Sequence, residues 1–239
     1  MGKAFVDLHC HTRASFDCLS APRAVVHAAA ERGLTHLAIT DHDRIDGALE
    51  ARELAPAGLT VLIGEEVKTR DGDLVCVFLE EAIPPGMSAE ETIAAAREQG
   101  ALVGIPHPFD QLRGSLLRDE RLHSLGTSVD WVETHNARVV GRGNEQAAAF
   151  AGEHMLPGVA VSDAHSILEV AVAYTALDGD PSTPTGLKAA LEGVQIVPGR
   201  ASLYIRAWTP VAKVVQLVRG NRRVRATAEP HRADRRPHR

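Results

Sequence analysis

Short runs rich in Val, Ile and Leu alternate with longer helical patterns along most of this chain, and that alternation limits its fold more than any other feature. Runs that are apolar throughout belong to strands buried on both faces, which occur where helices cover a mainly parallel sheet. The pattern predicts strands over Ala4–Leu8, Thr35–Ile39, Thr60–Glu66, Leu74–Leu79, Ala101–Ile105, Trp131–Thr134, Val159–Val161 and Gln195–Val197. Helices are predicted over Pro22–Arg32, with Ser20 before the proline and Gly33 as its stop, and over Ser88–Gln99, where Ser88 and Glu91 have capping-box spacing. Further helices are expected over Asn144–Glu153, Thr185–Leu191 and Pro210–Val218. The Asp71-Gly72 pair between two strand-like runs signals a hairpin, one antiparallel excursion in an otherwise parallel order.

Only nine of the 239 residues are aromatic, so Val, Leu, Ile and Ala must fill the core. At 44% hydrophobic and 24% charged the composition is that of a globular domain and excludes collagen-like or low-complexity chains. No run approaches the ~18 apolar residues of a membrane helix, and the N-terminus has no signal-peptide pattern. Three cysteines, with no C-x-x-C, suggest no disulfide framework and favour a reducing, cytoplasmic setting without membrane contact. Charge is polarised. Eight Arg against Glu229 and Asp234 give the segment from Arg219 onward +6, so a chain of net charge −5 carries −11 over residues 1–218. We therefore expect one domain over 1–218 and a solvated, disordered basic tail over 219–239, whose alternative role is a weak contact with nucleic acid. An acidic body suits a phosphate ligand only if metal ions reverse its field, which directs attention to the twelve histidines.

At the end of the first predicted strand stands Asp7-Leu8-His9-Cys10-His11-Thr12, where a period of two puts Asp7, His9 and His11 on one side. Two imidazoles at a strand end suit Zn, Mn or Fe, and Asp7 is expected to take the second N–H of a ligand ring. Cys10 points the other way and is expected to be a small buried hydrophobe. The theme recurs. Thr40-Asp41-His42-Asp43, Gly64-Glu65-Glu66, His107 and Ser162-Asp163-Ala164-His165 each close a strand-like run. Parallel α/β sheets and barrels place their sites at the C-terminal ends of strands, and so many polar groups buried together would be costly without metal compensation.

DLHCHT with Ser15 and Asp17, then AITDHD, GEE, IPHPFD, VETHNAR and VSDAH, in this order, resemble the polymerase and histidinol phosphatase (PHP) family over roughly residues 5–178. The resemblance implies a distorted seven-stranded, TIM-like (β/α) barrel with a two- or three-metal phosphoesterase site. It implies His9, His11, Asp17, His42, Glu66, His107, Asp163 and His165 as ligands to Mn, Fe or Zn. Glu66 is preferred over Glu65, which falls on the opposite strand face, and Asp41 joins Asp7 as a supporting carboxylate. In VETHNAR a further ligand is expected, with His135, Asn136 and Glu133 as the alternatives. Arg138 is either a substrate-phosphate contact or a surface ion pair. His27, His36, His123, His154, His231 and His238 are assigned no role.

The expected reaction is hydrolysis of a phosphate ester by a hydroxide bridging two metals about 3.5–4 Å apart. Asp43 or a metal-bound water is the candidate general acid. The expected substrate is a phosphorylated small molecule or short oligonucleotide, with a nucleoside 3′,5′-bisphosphate first. A histidinol-phosphate phosphatase and a non-catalytic metal-binding module are the alternatives. No G-x-S-x-G, G-x-x-x-x-G-K-[ST] or G-x-G-x-x-G signature is present in a context that would support other chemistry.

Overall fold

Nine strands form a single mixed sheet that curls into a nearly closed barrel in the computed structural model, which describes residues 2–110, 122 and 124–223. The chain runs β1 (Lys3–Asp7), α1 (Pro22–Glu31), β2 (His36–Ile39), α2 (Asp46–Leu54), β3 (Thr60–Lys68), β4 (Asp73–Val77), α3 (Ala89–Glu98) and β5 (Leu102–Ile105). It continues through β6 (Trp131–Asn136), α4 (Gly143–Glu153), β7 (Gly158–Val161), β8 (Tyr174–Asp178), α5 (Pro184–Ala190), β9 (Gln195–Val197), α6 (Leu203–Arg206) and α7 (Trp208–Val218). His123, His231, His238 and the tail from 224 onward lie outside the described residues.

The sheet order is β7-β6-β5-β4-β3-β2-β1-β8-β9. β1, β2 and β3 pair in parallel, as do β5, β6 and β7, so both halves turn their C-terminal ends toward one rim. β4 is antiparallel to both of its neighbours, and the expected hairpin places Gly72 at φ 151°. The seven-stranded expectation gives way at the closing seam. β8, which the reading of βα alternation does not reveal, runs antiparallel to β1 and carries on its other edge the expected strand at Gln195–Val197, β9. Thr175 on β8 bridges the seam to β7, its hydroxyl accepting from Ala160 N at 2.9 Å and donating to Ala160 O at 2.9 Å. Nearer the rim, the continuations of β1 and β7 bond directly, through Asp163 N to His9 O at 2.9 Å and His11 N to Ala164 O at 3.0 Å. This second junction brings the motifs at opposite ends of the domain together.

Inside the barrel Val6, Leu8, Leu62, Val75, Leu102, Trp131 and Val161 pack with Leu187 and Leu191, while a second apolar cluster includes Val25 and Ala48 of the helices with Leu37, Ile63 and Ile105 of the strands. A Cβ on Gly104 would lie 2.1 Å from Trp131 Cε2, so the ring requires a glycine beside it. The capping box at Ser88 forms as expected, with Glu91 N on Ser88 Oγ at 3.1 Å and Ser88 N on Glu91 Oε2 at 2.7 Å. α1 instead starts at Pro22 after Ala21, without a side-chain cap. α2 was not predicted because its early Gly47 weakens a helical reading. That glycine serves packing: a Cβ there would meet Asp41 Oδ2 at 2.1 Å and Thr12 Oγ1 at 2.4 Å.

Candidate metal centre

Side chains following five strands converge on the rim. Three interlocking groups, His11/His42/His165, His9/His107/Asp163 and His9/His11/Glu66, each place potential ligand atoms within 4.8 Å of one another. Glu66 is central to them. Its Oε2 lies 3.4 Å from His9 Nε2, 3.5 Å from His11 Nε2 and 3.0 Å from His42 Nδ1, and its Oε1 lies 3.3 Å from His107 Nε2. Asp17 faces the other side, with Oδ2 3.5 Å from His42 Nε2 and 3.4 Å from His165 Nε2. Asp163 Oδ1 approaches His11 Nε2 at 3.5 Å and His9 Nε2 at 3.8 Å. All eight sequence-expected ligands are buried here.

Hydrogen bonds outside the cluster determine which ring nitrogens face inward. His9 Nδ1 sits 2.6 Å from Glu133 Oε1, and His165 Nδ1 sits 2.9 Å from the carbonyl of Asp163; both partners accept, so each Nδ1 carries the proton. Ser15 gives its hydroxyl proton to Asp41 Oδ1 at 2.7 Å, leaving a lone pair for His11 Nδ1–H at 3.1 Å. The three Nε2 lone pairs therefore point at the centre. His9 Nε2 and His11 Nε2 lie 3.1 Å apart, so a shared proton or a metal cation must sit between them. When no metal is bound, burial pulls the His9 pKa down, but the carboxylates of Glu133, Asp163 and Glu66 overcome it and raise that pKa well above its usual value. Glu66 Oε2 and Asp17 Oδ1 are buried without a hydrogen-bond partner among the described residues. Imidazole nitrogens mixed with carboxylate oxygens fit divalent ions such as Mn, Fe or Zn, so the residues present are able to hold metal.

The electrostatics follow from this crowding. Burial opposes ionisation of Glu66, but His42 and His9 outweigh it and hold its pKa well below the usual carboxylate range; His165 and His42 do the same for Asp17. Burial pulls His42 down, yet Glu66 and Asp17 carry it up to about 10. Burial dominates at His11 and His165, each lowered to about 4, which keeps both rings neutral at neutral pH. Asp43, His107 and Asp163 have φ of 57°, 28° and 51°, left-handed conformations that aim groups at the rim at a local cost of roughly 1–3 kcal/mol each.

Several expected residues stand elsewhere. His135 turns away from the cluster and bonds the carbonyl of Gly199 at 2.8 Å, because a bulge between Glu133 and His135 shifts the phase of β6. Glu133 and Asn136 face the site instead. Glu133 Oε2 accepts from His107 N and from Asn136 Nδ2, both at 2.9 Å, and Asn136 Nδ2 also reaches Asp163 Oδ2 at 2.9 Å. Asp7 does not orient a ring: its Oδ1 accepts from His9 N at 3.3 Å and Ser162 N at 3.1 Å, and burial raises its pKa to about 7. Asp41 organises the ligand loop through Thr12 and Ser15. Glu65 faces away, accepting from Ile83 N at 2.8 Å, and burial pushes it up to about 8. Arg138 is buried, with Nη1 2.6 Å from Glu169 Oε1 and Nη2 2.8 Å from Thr209 Oγ1. Asp43 accepts from Lys68 N at 2.7 Å and from Arg223 Nε at 2.9 Å.

Ser15 enters the sequence reading as a motif residue without an assigned role, Glu169 does not enter it, and the C-terminal residues enter it only as a helix and a basic tail. Gln216 Nε2 reaches the carbonyls of Arg13, Ser15 and Cys18, and Asn221 Nδ2 reaches those of Arg13 and Ala14, so the C-terminal segment grips the loop that bears Asp17. The only sequence signal for this is polar Gln216 within an apolar helix.

A model of the PHP domain matches residues 7–140, and one of a PHP-associated region continues over 141–193. The chain belongs to the PHP family. A protein of Methanocaldococcus jannaschii without an assigned function is 37% identical over 142 residues, 55% of this PHP chain and 81% of its own length. The 5′-3′ exoribonuclease of Haemophilus influenzae is 33% identical over 117 residues, 44% of this chain and 42% of that enzyme. Among solved structures, a two-domain Bacteroides vulgatus protein described as containing a PHP-like metal-dependent phosphoesterase aligns with TM-score 0.70 at 19% identity, over 83% of this chain and 65% of that one. A lesion-specific endonuclease of Pyrococcus furiosus aligns at TM-score 0.62 and 18% identity, over 82% and 58%. These structures share the fold. Family membership makes the chain a metal-dependent hydrolase of phosphoric esters.

Proposed function

We propose that this PHP domain hydrolyses a phosphate ester of a nucleotide, a nucleoside 3′,5′-bisphosphate or a short oligonucleotide, using two or three Mn, Fe or Zn ions. The observation that carries the reading is the convergence of His9 Nε2, His11 Nε2 and His42 Nδ1 on the buried Glu66 Oε2, with His165 Nε2 facing Asp17 beside them. His9, His11, His42, His107, His165, Asp17, Glu66 and Asp163 would hold the ions, which supply Lewis acidity and an activated water when bound. Glu133 fixes the His9 tautomer and, through His107 N and Asn136, ties the β5 and β7 ligands into one frame. Asp43, accepting from Lys68 N and Arg223, is better suited to anchoring Arg223 than to donating a proton to the leaving group. Arg138 would steady the β7 loop by way of Glu169, whose Oε2 accepts from His165 N at 3.1 Å.

The nucleotide preference is supported by the exoribonuclease among the relatives and the endonuclease among the structural neighbours. A cytoplasmic setting agrees with Cys10, Cys18 and Cys76 being free and buried, and no helix among the described residues is long and apolar enough to cross a membrane. The domain would extend to Arg223, leaving the tail from 224 as the segment available for weak nucleic-acid contact. A phosphate-release screen tests the proposal. Nucleoside 3′,5′-bisphosphates or short oligonucleotides should be hydrolysed faster than histidinol phosphate, with loss on chelation and recovery on adding Mn, Fe or Zn. Preference for histidinol phosphate would overturn the substrate, and full activity without metal would overturn the chemistry.

A further inference from the structure

α7 lies beyond both matched family regions, yet it carries a cation to the metal rim. Ala212 and Gln216 are buried on one helical face, and the bonds from Gln216 to the carbonyls of Arg13, Ser15 and Cys18 fix how the helix sits on the ligand loop. Lys213 leaves this anchored turn with its side chain about half exposed (52%) and its Nζ 4.0 Å from Asp17 Oδ2. The ammonium also lies 5.4 Å from the centroid of Phe16, whose ring stands 5.0 Å from that of His42. Phe16 and Asp17 thus hold a hydrated, rotatable cation beside the cluster.

Other nearby cations are more firmly engaged. Arg138 is buried against Glu169 at 2.6 Å, Arg223 pairs with Asp43 at 2.9 Å and Asp73 at 3.1 Å, and Arg13 pairs with Glu50 at 2.8 Å. Among the described residues the ion pair of Lys213 is the long one with Asp17, itself drawn toward His42 and His165, and the ammonium otherwise lies over Phe16. A phosphoryl group on metal held by Asp17 would enter the space next to Lys213 Nζ. We propose that Lys213 binds the phosphoryl group undergoing transfer, a role for which sequence reasoning considered Arg138. The proposal rests on the phosphoesterase reading and deepens it by adding a substrate-contacting residue from the C-terminal helix.

The test uses the full, metal-loaded chain with Lys213→Ala and Lys213→Arg. Lys213→Ala should keep its metal content while kcat/KM falls about 10- to 150-fold, the range of one charge-assisted hydrogen bond. Inorganic phosphate, as a competitive inhibitor, should weaken by a similar factor, and Lys213→Arg should recover most of both. Unchanged phosphate inhibition in Lys213→Ala would overturn the proposal. Metal loss in that variant would also overturn it, by showing that Lys213 acts through Asp17. If the wild-type chain hydrolyses no phosphate ester, the phosphoesterase reading fails separately, and calorimetric binding of inorganic phosphate to wild type and Lys213→Ala still decides whether Lys213 is a phosphate contact.

Discussion

The first three strands and β6 deliver groups to the same centre by different means. After β1, β2 and at β3, each motif presents its ligand beside a regular parallel ladder, so His9, His11, His42 and Glu66 meet at the rim. β6 begins in the same phase, with Trp131 and Glu133 turned inward, but the bulge before His135 inserts one residue and reverses the alternation. Asn136 is then buried at the site while His135 bonds Gly199. One extra residue thus exchanges a histidine for an amide, and a plausible ligand for an orienting network.

The largest effect should come from the regular half. Glu66→Gln keeps size and burial but removes the charge that four imidazoles approach, and should lose bound metal and more than about 100-fold in kcat/KM, beyond the usual effect of an outer-shell partner. Elemental analysis and phosphate release check it; retention of both metal and rate would remove Glu66 from the centre. The sharper contrast is within β6. Glu133→Gln should cost about 10–100-fold in metal affinity or activity, whereas His135→Ala should leave metal content unchanged. The reverse ranking would mean that the bulge does not set the phase.

How much of this is legible in the sequence depends on the range of the interaction. H-x-H, T-D-H, G-E-E and S-D-A-H are local patterns at strand ends; the first three fall in residues 7–140, matched by the PHP domain, and the last in residues 141–193, matched by the PHP-associated region. The bulge in β6, the wedge of β8 and the grip of Gln216 on the Asp17 loop are tertiary choices with no local period. The boundary at 218 had the same origin: Arg219 begins a basic run, yet Asn221 and Arg223 lie against the body because carbonyls of residues 13–15 and the carboxylates of Asp43 and Asp73 await donors there.

That boundary gives a smaller effect. A chain ending at Arg223 should match the full chain in stability, whereas one ending at Val218 should lose roughly 1–3 kcal/mol, the sum of a few part-buried hydrogen bonds. Urea midpoints compare the two; equal midpoints would make Asn221 and Arg223 incidental.

The smallest effect lies away from the centre, at His36. Burial lowers its pKa below 6.5, with Asp180 partly opposing. Between that lowered value and 6.5 the unfolded chain binds more protons than the folded one, so stability falls as pH drops through this window and levels off below it. His36→Asn should flatten the dependence between pH 7.5 and 5. An unchanged difference in urea midpoint across that range would show that His36 titrates as it does when unfolded.

Metal stoichiometry tests the central claim most directly. Purified protein loaded with Mn, Fe or Zn and freed of excess should retain two or three equivalents per chain, and Asp163→Ala should retain fewer while staying folded by circular dichroism. A wild-type chain that is folded yet retains no divalent metal would contradict the account, because the buried imidazoles and carboxylates would then be held together by protons alone and would not form a metal centre.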